Sequence, residues 1–332
     1  MFILGKNRFM LQAIPEVSKQ IRSSVIREVI EKNYSSIMPI WAPLQLSWIN
    51  NVYKTFHDYE KFMIIMSLLL NTFQTYSKNF ARINYDEYFS QKEIEIDKIN
   101  VMEISKSLNI PKETTRRKIN ELEEIGAIKR INKKIILDRN TWPNIKPEET
   151  IKRMTRFLST LSKVCVAEGK IPEPFSSEIL TKTCKKYFSF IWERYYEMQM
   201  PMLLGNKKIF GDLESFHVNG ICIINQALHS KKNDNTKMSK EFYLEKYFLR
   251  DQREERGVNA MSISDISGIP RATVIRKLNK LLNEKFLIVD SKKHYTSAGF
   301  HAQKLLDVQK NTFINLSKLA SRIYNLSLMK ND

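Results

Sequence analysis

The sequence predicts a mainly α-helical chain with small β-hairpins, built as two copies of one unit. Three observations lead there. Glycine and proline number only 9 and 10 in 332 residues, so long turn-rich loops should be few. Apolar residues make up 42%, enough for packed cores. The chain also repeats itself. Ile110, Pro111, Thr114, Arg117, Lys118, Asn120 and Leu122 recur as Ile269, Pro270, Thr273, Arg276, Lys277, Asn279 and Leu281. That is seven identities in thirteen positions, without a gap, at an offset of 159.

Weaker echoes run in the same order. Phe56, Asp58, Glu60 and Phe62 match Phe210, Asp212, Glu214 and Phe216 at an offset of 154. Glu31, Tyr34, Met38 and Pro39 match Glu193, Tyr196, Met200 and Pro201 at 162. Phe157, Leu158 and Leu161 are echoed by Phe313, Ile314 and Leu316. The expected units are residues 1–167 and 178–332. Residues 168–177, with Gly169, Pro172, Pro174 and Ser176, form the linker. The charge-rich stretch Ser230–Gly257, where the second unit is longer, reads as an exposed loop with a helical part.

Each unit shows one order of elements. A long helix near Glu16–Ser35 or Glu178–Gln199 precedes a proline. An apolar helix then opens at Phe-x-Asp-x-Glu-x-Phe, whose carboxylates suit a helix start better than acid–base catalysis. A short helix follows near Val101–Leu108 or Ile263–Ser267. Asn100 with Glu103, and Ser262 with Asp265, supply its cap. A turn at Asn109 or Gly268 leads to Ile-Pro and the next helix. That helix has apolar residues at helical spacing: Ile119 and Leu122, or Val274, Leu278 and Leu281. Its opposite face carries Lys112, Thr114, Arg116, Arg117 and Lys118, or Arg271, Thr273, Arg276 and Lys277. Two short strands then flank a basic tip. Residues 127–131 and 135–137 flank Asn132, Lys133 and Lys134. Residues 286–289 and 294–295 flank Asp290, Ser291, Lys292 and Lys293. A long helix closes each unit, near Pro147–Ala167 and Gly299–Leu326.

Helix, turn, helix and hairpin in this order make a winged helix-turn-helix, spanning about 99–138 and 259–297. The predicted architecture is two such repeats in a pseudo-two-fold arrangement with long flanking helices. Lys plus Arg exceed Asp plus Glu by 54 to 36, a formal +18. Residues 99–140 hold ten basic and six acidic residues, and residues 259–300 hold seven and three. A quarter of the chain thus carries nearly half the excess, and a polyanion is the expected partner. Arg271 and Arg116 stand near the helix starts, where bases are within reach. Thr114 and Thr273 suit a phosphate or a base edge. Arg117 and Arg276 suit phosphate, and Arg130, Lys133, Lys134, Lys292 and Lys293 are the wing contacts.

The stretch Ile263–Leu278 resembles the helix-turn-helix of MarR- and IclR-type bacterial regulators. Flanking helices on both sides are similar to MarR-type subunits, so the chain looks like a fused dimer. This resemblance implies a sequence-specific double-stranded DNA-binding transcriptional regulator. Two other readings share the features: a replication initiator of plasmid or phage type, and a winged-helix interaction or architectural protein. The first unit departs from the pattern. Thr115 stands where valine is usual, and Glu113, Glu121, Glu123 and Glu124 make its helix acidic. In the second, Lys285 replaces the helix-ending glycine that the first keeps as Gly126.

Cys165, Cys184 and Cys222 are far apart and the five histidines are scattered, so neither zinc nor a nucleophile triad is expected. There is no Walker loop, Gly-x-Gly-x-x-Gly or nucleophile elbow, so an enzyme is not expected, nor a cofactor. The apolar run near Phe62–Leu70 is too short to span a bilayer, and the apolar run at the N-terminus, Met1–Gly5 before Lys6, is too short for a signal peptide. The expected place is the cytoplasm, at the nucleoid. The expected state is a monomer acting as a pseudo-dimer, with further dimerisation open. RNA polymerase or a small-molecule effector is a further candidate partner. Trp41, Trp48 and Trp192, and Met198, Met200 and Met202, are expected in the core.

Overall fold

The computed structural model describes residues 20–96, 100–131, 134–138, 147–233, 257–298 and 301–329. Among the described residues the fold is mainly helical with two small antiparallel sheets. In the first unit α1 (Ser23–Lys32), α2 (Tyr34–Phe56) and α3 (Tyr59–Lys78) precede α4 (Tyr85–Ser90) and β1 (Glu93–Ile96). Then come α5 (Val101–Leu108), α6 (Lys112–Glu124), β2 (Ile128–Ile131), β3 (Lys134–Asp138) and α7 (Glu148–Ala167). The second unit runs α8 (Ser177–Lys186), α9 (Phe188–Phe210), α10 (Leu213–Asn233), α11 (Ala260–Ser267) and α12 (Arg271–Asn283). It ends with β4 (Leu287–Val289), β5 (Tyr295–Ser297) and α13 (Ala302–Leu328).

The duplication extends through the packing. Helices α1, α2 and α3 begin 154 residues before α8, α9 and α10. Buried Ile26, Val29 and Ile30 of α1 correspond to buried Leu180, Thr183 and Cys184 of α8. Tyr34, Ile37, Trp41, Trp48, Ile49 and Val52 of α2 correspond to buried Phe188, Ile191, Tyr195, Met202, Leu203 and Asn206 of α9. This register corrects the weak echo at 162, which slides the long helices by eight residues. The echo of Phe157 in Phe313 also fails. The buried face of α7 (Ile151, Met154, Thr155, Phe157, Leu158, Leu161, Ser162) recurs in α13 as Phe313, Leu316, Ser317, Leu319, Ala320, Ile323 and Tyr324. Shared burial, rather than shared letters, identifies equivalent helix positions.

Each expected long first helix is in fact a pair, α1–α2 and α8–α9, and the part of the first before residue 20 lies outside the described residues. Pro39, Pro43 and Pro201 lie inside α2 and α9 rather than after a helix. An interior proline costs a helix about 3 kcal/mol. Burial of aromatic side chains on these helices outweighs it. Trp41 packs on Phe157 at 5.1 Å between ring centroids, and Trp48 on Tyr195 at 6.1 Å. Trp41, Trp48, Trp192, Met198, Met200, Met202 and the three cysteines are all buried.

Contacts between the units are reciprocal. Helix α2 packs on α10 while α9 packs on α3, and α7 packs on α8 while α13 packs on α1. Such i-to-j and j-to-i pairing is what a two-fold relation produces. The buried apolar residues of both units form one continuous core. Residues 168–177 are anchored to the core through Ile171 and Phe175, which are buried. Phe175 donates its amide to Ser162 Oγ at 3.0 Å and stacks on Tyr324 at 4.8 Å. Across the units, Tyr324 donates to the Leu158 carbonyl at 2.6 Å and Tyr34 to Gln309 at 3.0 Å. Most of the charge-rich stretch 230–257 lies outside the described residues; α10 runs on to Asn233. Among the described residues no helix is long and apolar enough to cross a membrane, and no His/Cys/Asp/Glu group is placed to hold a metal ion.

Candidate nucleic-acid interface

The two tight turns that join α5 to α6 and α11 to α12 are built from the same local chemistry. Asn100 caps α5, accepting from the Met102 amide at 2.9 Å. The cap of α11 is Asn259, not Ser262: its side chain accepts from the Ser262 amide at 2.9 Å. Asn109 and Gly268 end these helices in the left-handed region, at φ 49° and 75°. Asparagine and glycine tolerate that conformation best. Ser105 and Ser264 then latch the turns, each donating to the following Ile110 or Ile269 carbonyl at 2.7 Å. Pro111 and Pro270 occupy matching N-cap positions of α6 and α12.

The next helices have one burial pattern. Thr115, Ile119 and Leu122 of α6 face the core where Val274, Leu278 and Leu281 of α12 do. Thr115 fills the valine site because its hydroxyl donates to the Ile110 and Pro111 carbonyls at 3.3 and 3.1 Å. Lys112, Arg116 and Arg117 are exposed, as are Arg271 and Arg276; Thr114 and Thr273 are half-buried.

Lys118 and Lys277 do not join this outer face. Each points back to the carboxylate at the start of the preceding apolar helix. Lys118 Nζ lies 2.7 Å from Asp58 and 3.1 Å from Glu121. Lys277 Nζ lies 2.7 Å from Asp212 and 3.7 Å from Glu214. Asp58 also caps α3 through the Glu60 and Lys61 amides, and Asp212 accepts from the Ser215 amide. The recurring Asp-x-Glu motif therefore both starts a helix and anchors the exposed one beside it. Burial opposes ionisation of Asp212, yet hydrogen bonds from Lys277, Lys280 and the Ser215 amide hold its carboxyl well below the ordinary range. Burial likewise disfavours charge on Lys118, and the bonds to Asp58 and Glu121 outweigh it, raising its pKa.

The two outer faces differ. In the first unit, Arg116 pairs with Glu113 at 3.2 Å and Arg117 with Glu121 at 3.7 Å. Strand β3 is central in the order β1-β3-β2, and β1 brings its own acids. Lys134 pairs with Glu95, and Lys129 lies 3.1 Å from both Glu93 and Asp138. Arg130 holds Glu123 and lies 3.1 Å from Asn120. The bond from Arg130 keeps the Glu123 carboxyl below its usual range. Strand β1 and its Glu93 and Glu95 were missed from sequence, although Glu-Ile-Glu-Ile alternates with period two. Lys133 lies outside the described residues.

In the second unit, Arg271, Arg276, Lys292 and Lys293 have no carboxylate within ion-pair distance among the described residues. The tip between β4 and β5 is organised by Asp290, which accepts from the Lys292 and His294 amides at 2.9 and 2.8 Å. Both lysines there are exposed.

The helix ends also differ. Gly126 (φ 74°) and Lys285 (φ 60°) close α6 and α12 with the same pair of bonds, Gly126 to Glu123 and Ala127 to Leu122, Lys285 to Leu282 and Phe286 to Leu281. A side chain in the left-handed region costs about 1 kcal/mol. Lys285→Gly is expected to raise unfolding free energy by about 0.5 kcal/mol, after the entropy that glycine adds to the unfolded chain. A higher urea midpoint at unchanged slope checks it. Comparison of the chain with family models, with curated proteins and with solved structures finds no match in any of the three.

Proposed function

We propose that the chain binds double-stranded DNA sequence-specifically, as a transcriptional regulator with two winged helix-turn-helix units held in reciprocal positions by one helical core. The observation that carries this reading is the outer face of the second unit. Arg271 and Arg276 lie on an exposed helix, Lys292 and Lys293 lie on a hairpin tip, and none has an acidic partner among the described residues. Four open cations on a helix and a hairpin fit a polyanion whose groove admits a helix. The half-buried ion pair Lys277–Asp212 supports it, because it fixes the helix without using its outer face.

Selection of bound duplexes from a random pool by the purified full chain tests the reading. An enriched sequence is expected. Arg271→Ala with Arg276→Ala should weaken binding of that duplex tenfold or more, with a smaller slope of log affinity against log salt. A pool that stays unenriched, or a double variant that binds like the parent, refutes it.

A further inference from the structure

Between the open arginines of α12 lies a side chain of another kind. Ile275 is 41% exposed, on the outer face of the helix. At 100° per residue, Arg271, Ile275, Asn279, Ala272 and Arg276 span an arc of about 140°, with Ile275 inside it. Its aliphatic surface there faces water among charged and polar neighbours rather than the core. The equivalent position in the first unit is Arg116, which is tied to Glu113 at 3.2 Å. The two outer faces therefore present different chemistry at the same place.

The cations around Ile275 specify what can cover it. Arg271, Arg276 and the wing lysines select an anionic surface, which the aliphatic group alone would not. In the major groove the base edges are polar except for the 5-methyl group of thymine. We infer that Ile275 is a specificity-determining residue that reads thymine through its methyl group, with Arg271 and Arg276 setting the helix in the groove. The inference rests on the reading of the chain as a sequence-specific DNA binder. It makes the preferred site asymmetric, because Arg116 places no such contact in the other unit.

The methyl can be removed alone. In the enriched duplex, each thymine is replaced in turn by deoxyuridine, and affinity is measured for the full chain and for Ile275→Ala. At one thymine position the parent should lose about fourfold, the equivalent of one methyl-sized group taken from water. Ile275→Ala should bind thymine and deoxyuridine duplexes equally at that position. Equal loss in parent and variant assigns the methyl to another residue and overturns the inference. A parent indifferent to every replacement overturns it as well, with DNA binding itself intact. Absence of any enriched duplex removes the underlying reading instead. Because Ile275 is exposed, the variant should fold normally. Ile275→Val, which keeps a shortened aliphatic group, should retain part of the discrimination.

Discussion

Lys277→Ala is expected to lower the unfolding free energy by about 3 kcal/mol, while Arg276→Ala, one residue earlier, changes it by less than about 0.5 kcal/mol. The two side chains are alike in charge and adjacent in sequence, but only one is committed to the fold. Lys277 is 12% exposed and lies 2.7 Å from Asp212. Its removal leaves Asp212 and Glu214 side by side in a partly desolvated site, with Lys280 at 2.9 Å from Asp212 as the remaining cation. Burial already pushes the Glu214 carboxyl up, so it has little reserve against another loss of positive charge. Lys277→Met separates charge from packing, because it keeps an unbranched stem and loses only the ammonium. It should cost nearly as much as the alanine change. Urea denaturation near neutral pH measures all three variants, and a methionine variant as stable as the parent would show that the ion pair adds nothing. Lys118, with Asp58 and Glu121 around it, should behave the same way in the first unit.

These lysines show where sequence reading ends. Helical periodicity correctly separated Ile119 and Leu122, or Val274, Leu278 and Leu281, from the polar side of each helix. It does not separate outward cations from those at the border of the buried face, since both are simply polar letters in the pattern. What turns Lys118 and Lys277 inward is a carboxylate some sixty residues earlier in each unit, and that proximity is tertiary. The capping carboxylates themselves were legible, because a cap is a local device. So were the turns at Asn109 and Gly268, and the two hairpins.

The register of the long helices was not legible. Coincidental matches such as Pro39 with Pro201 pulled the alignment to 162, whereas the buried faces align at 154. Prolines read as helix ends lie within helices, because propensity is a local term of a few kcal/mol and the buried aromatic faces of α2 and α9 supply more. Strand β1 was overlooked although its alternation is regular, because it pairs with β3 across the whole of α5 and α6. Missing it hid the acids that neutralise Lys129 and Lys134. The first unit thus looked more basic at its hairpin than its side chains leave it.

Acid should unfold the protein from its centre, through His217. This residue is 1% exposed and joins the two units. Its Nε2 lies 2.5 Å from Asn50 Oδ1, an acceptor, so Nε2 carries the hydrogen and Nδ1 accepts from the Tyr59 hydroxyl at 2.6 Å. The neutral ring is satisfied at both nitrogens, while burial lowers its pKa to about 3. The unfolded chain takes up a proton near pH 6.5 and the folded chain does not. Stability is therefore full above that pH and is lost as the pH falls from 6.5 toward 3, by up to about 1.4 kcal/mol per pH unit. Glu214 acts in the opposite direction, since its raised pKa lets the folded state gain a proton first, and this trims the slope. Asp212, with its lowered pKa, adds to the loss only below the ordinary aspartate range. Unfolding free energies from urea titrations at pH 7 and pH 5 should therefore differ for the parent by about 1.5–2 kcal/mol. His217→Gln cannot take up a proton. It should be less stable at pH 7, because the amide does not reproduce the ring's span between Asn50 and Tyr59, but its stability should be nearly flat between the two values. A parent that is equally stable at both would mean that the buried imidazole is not what opposes acid at the junction of the two units.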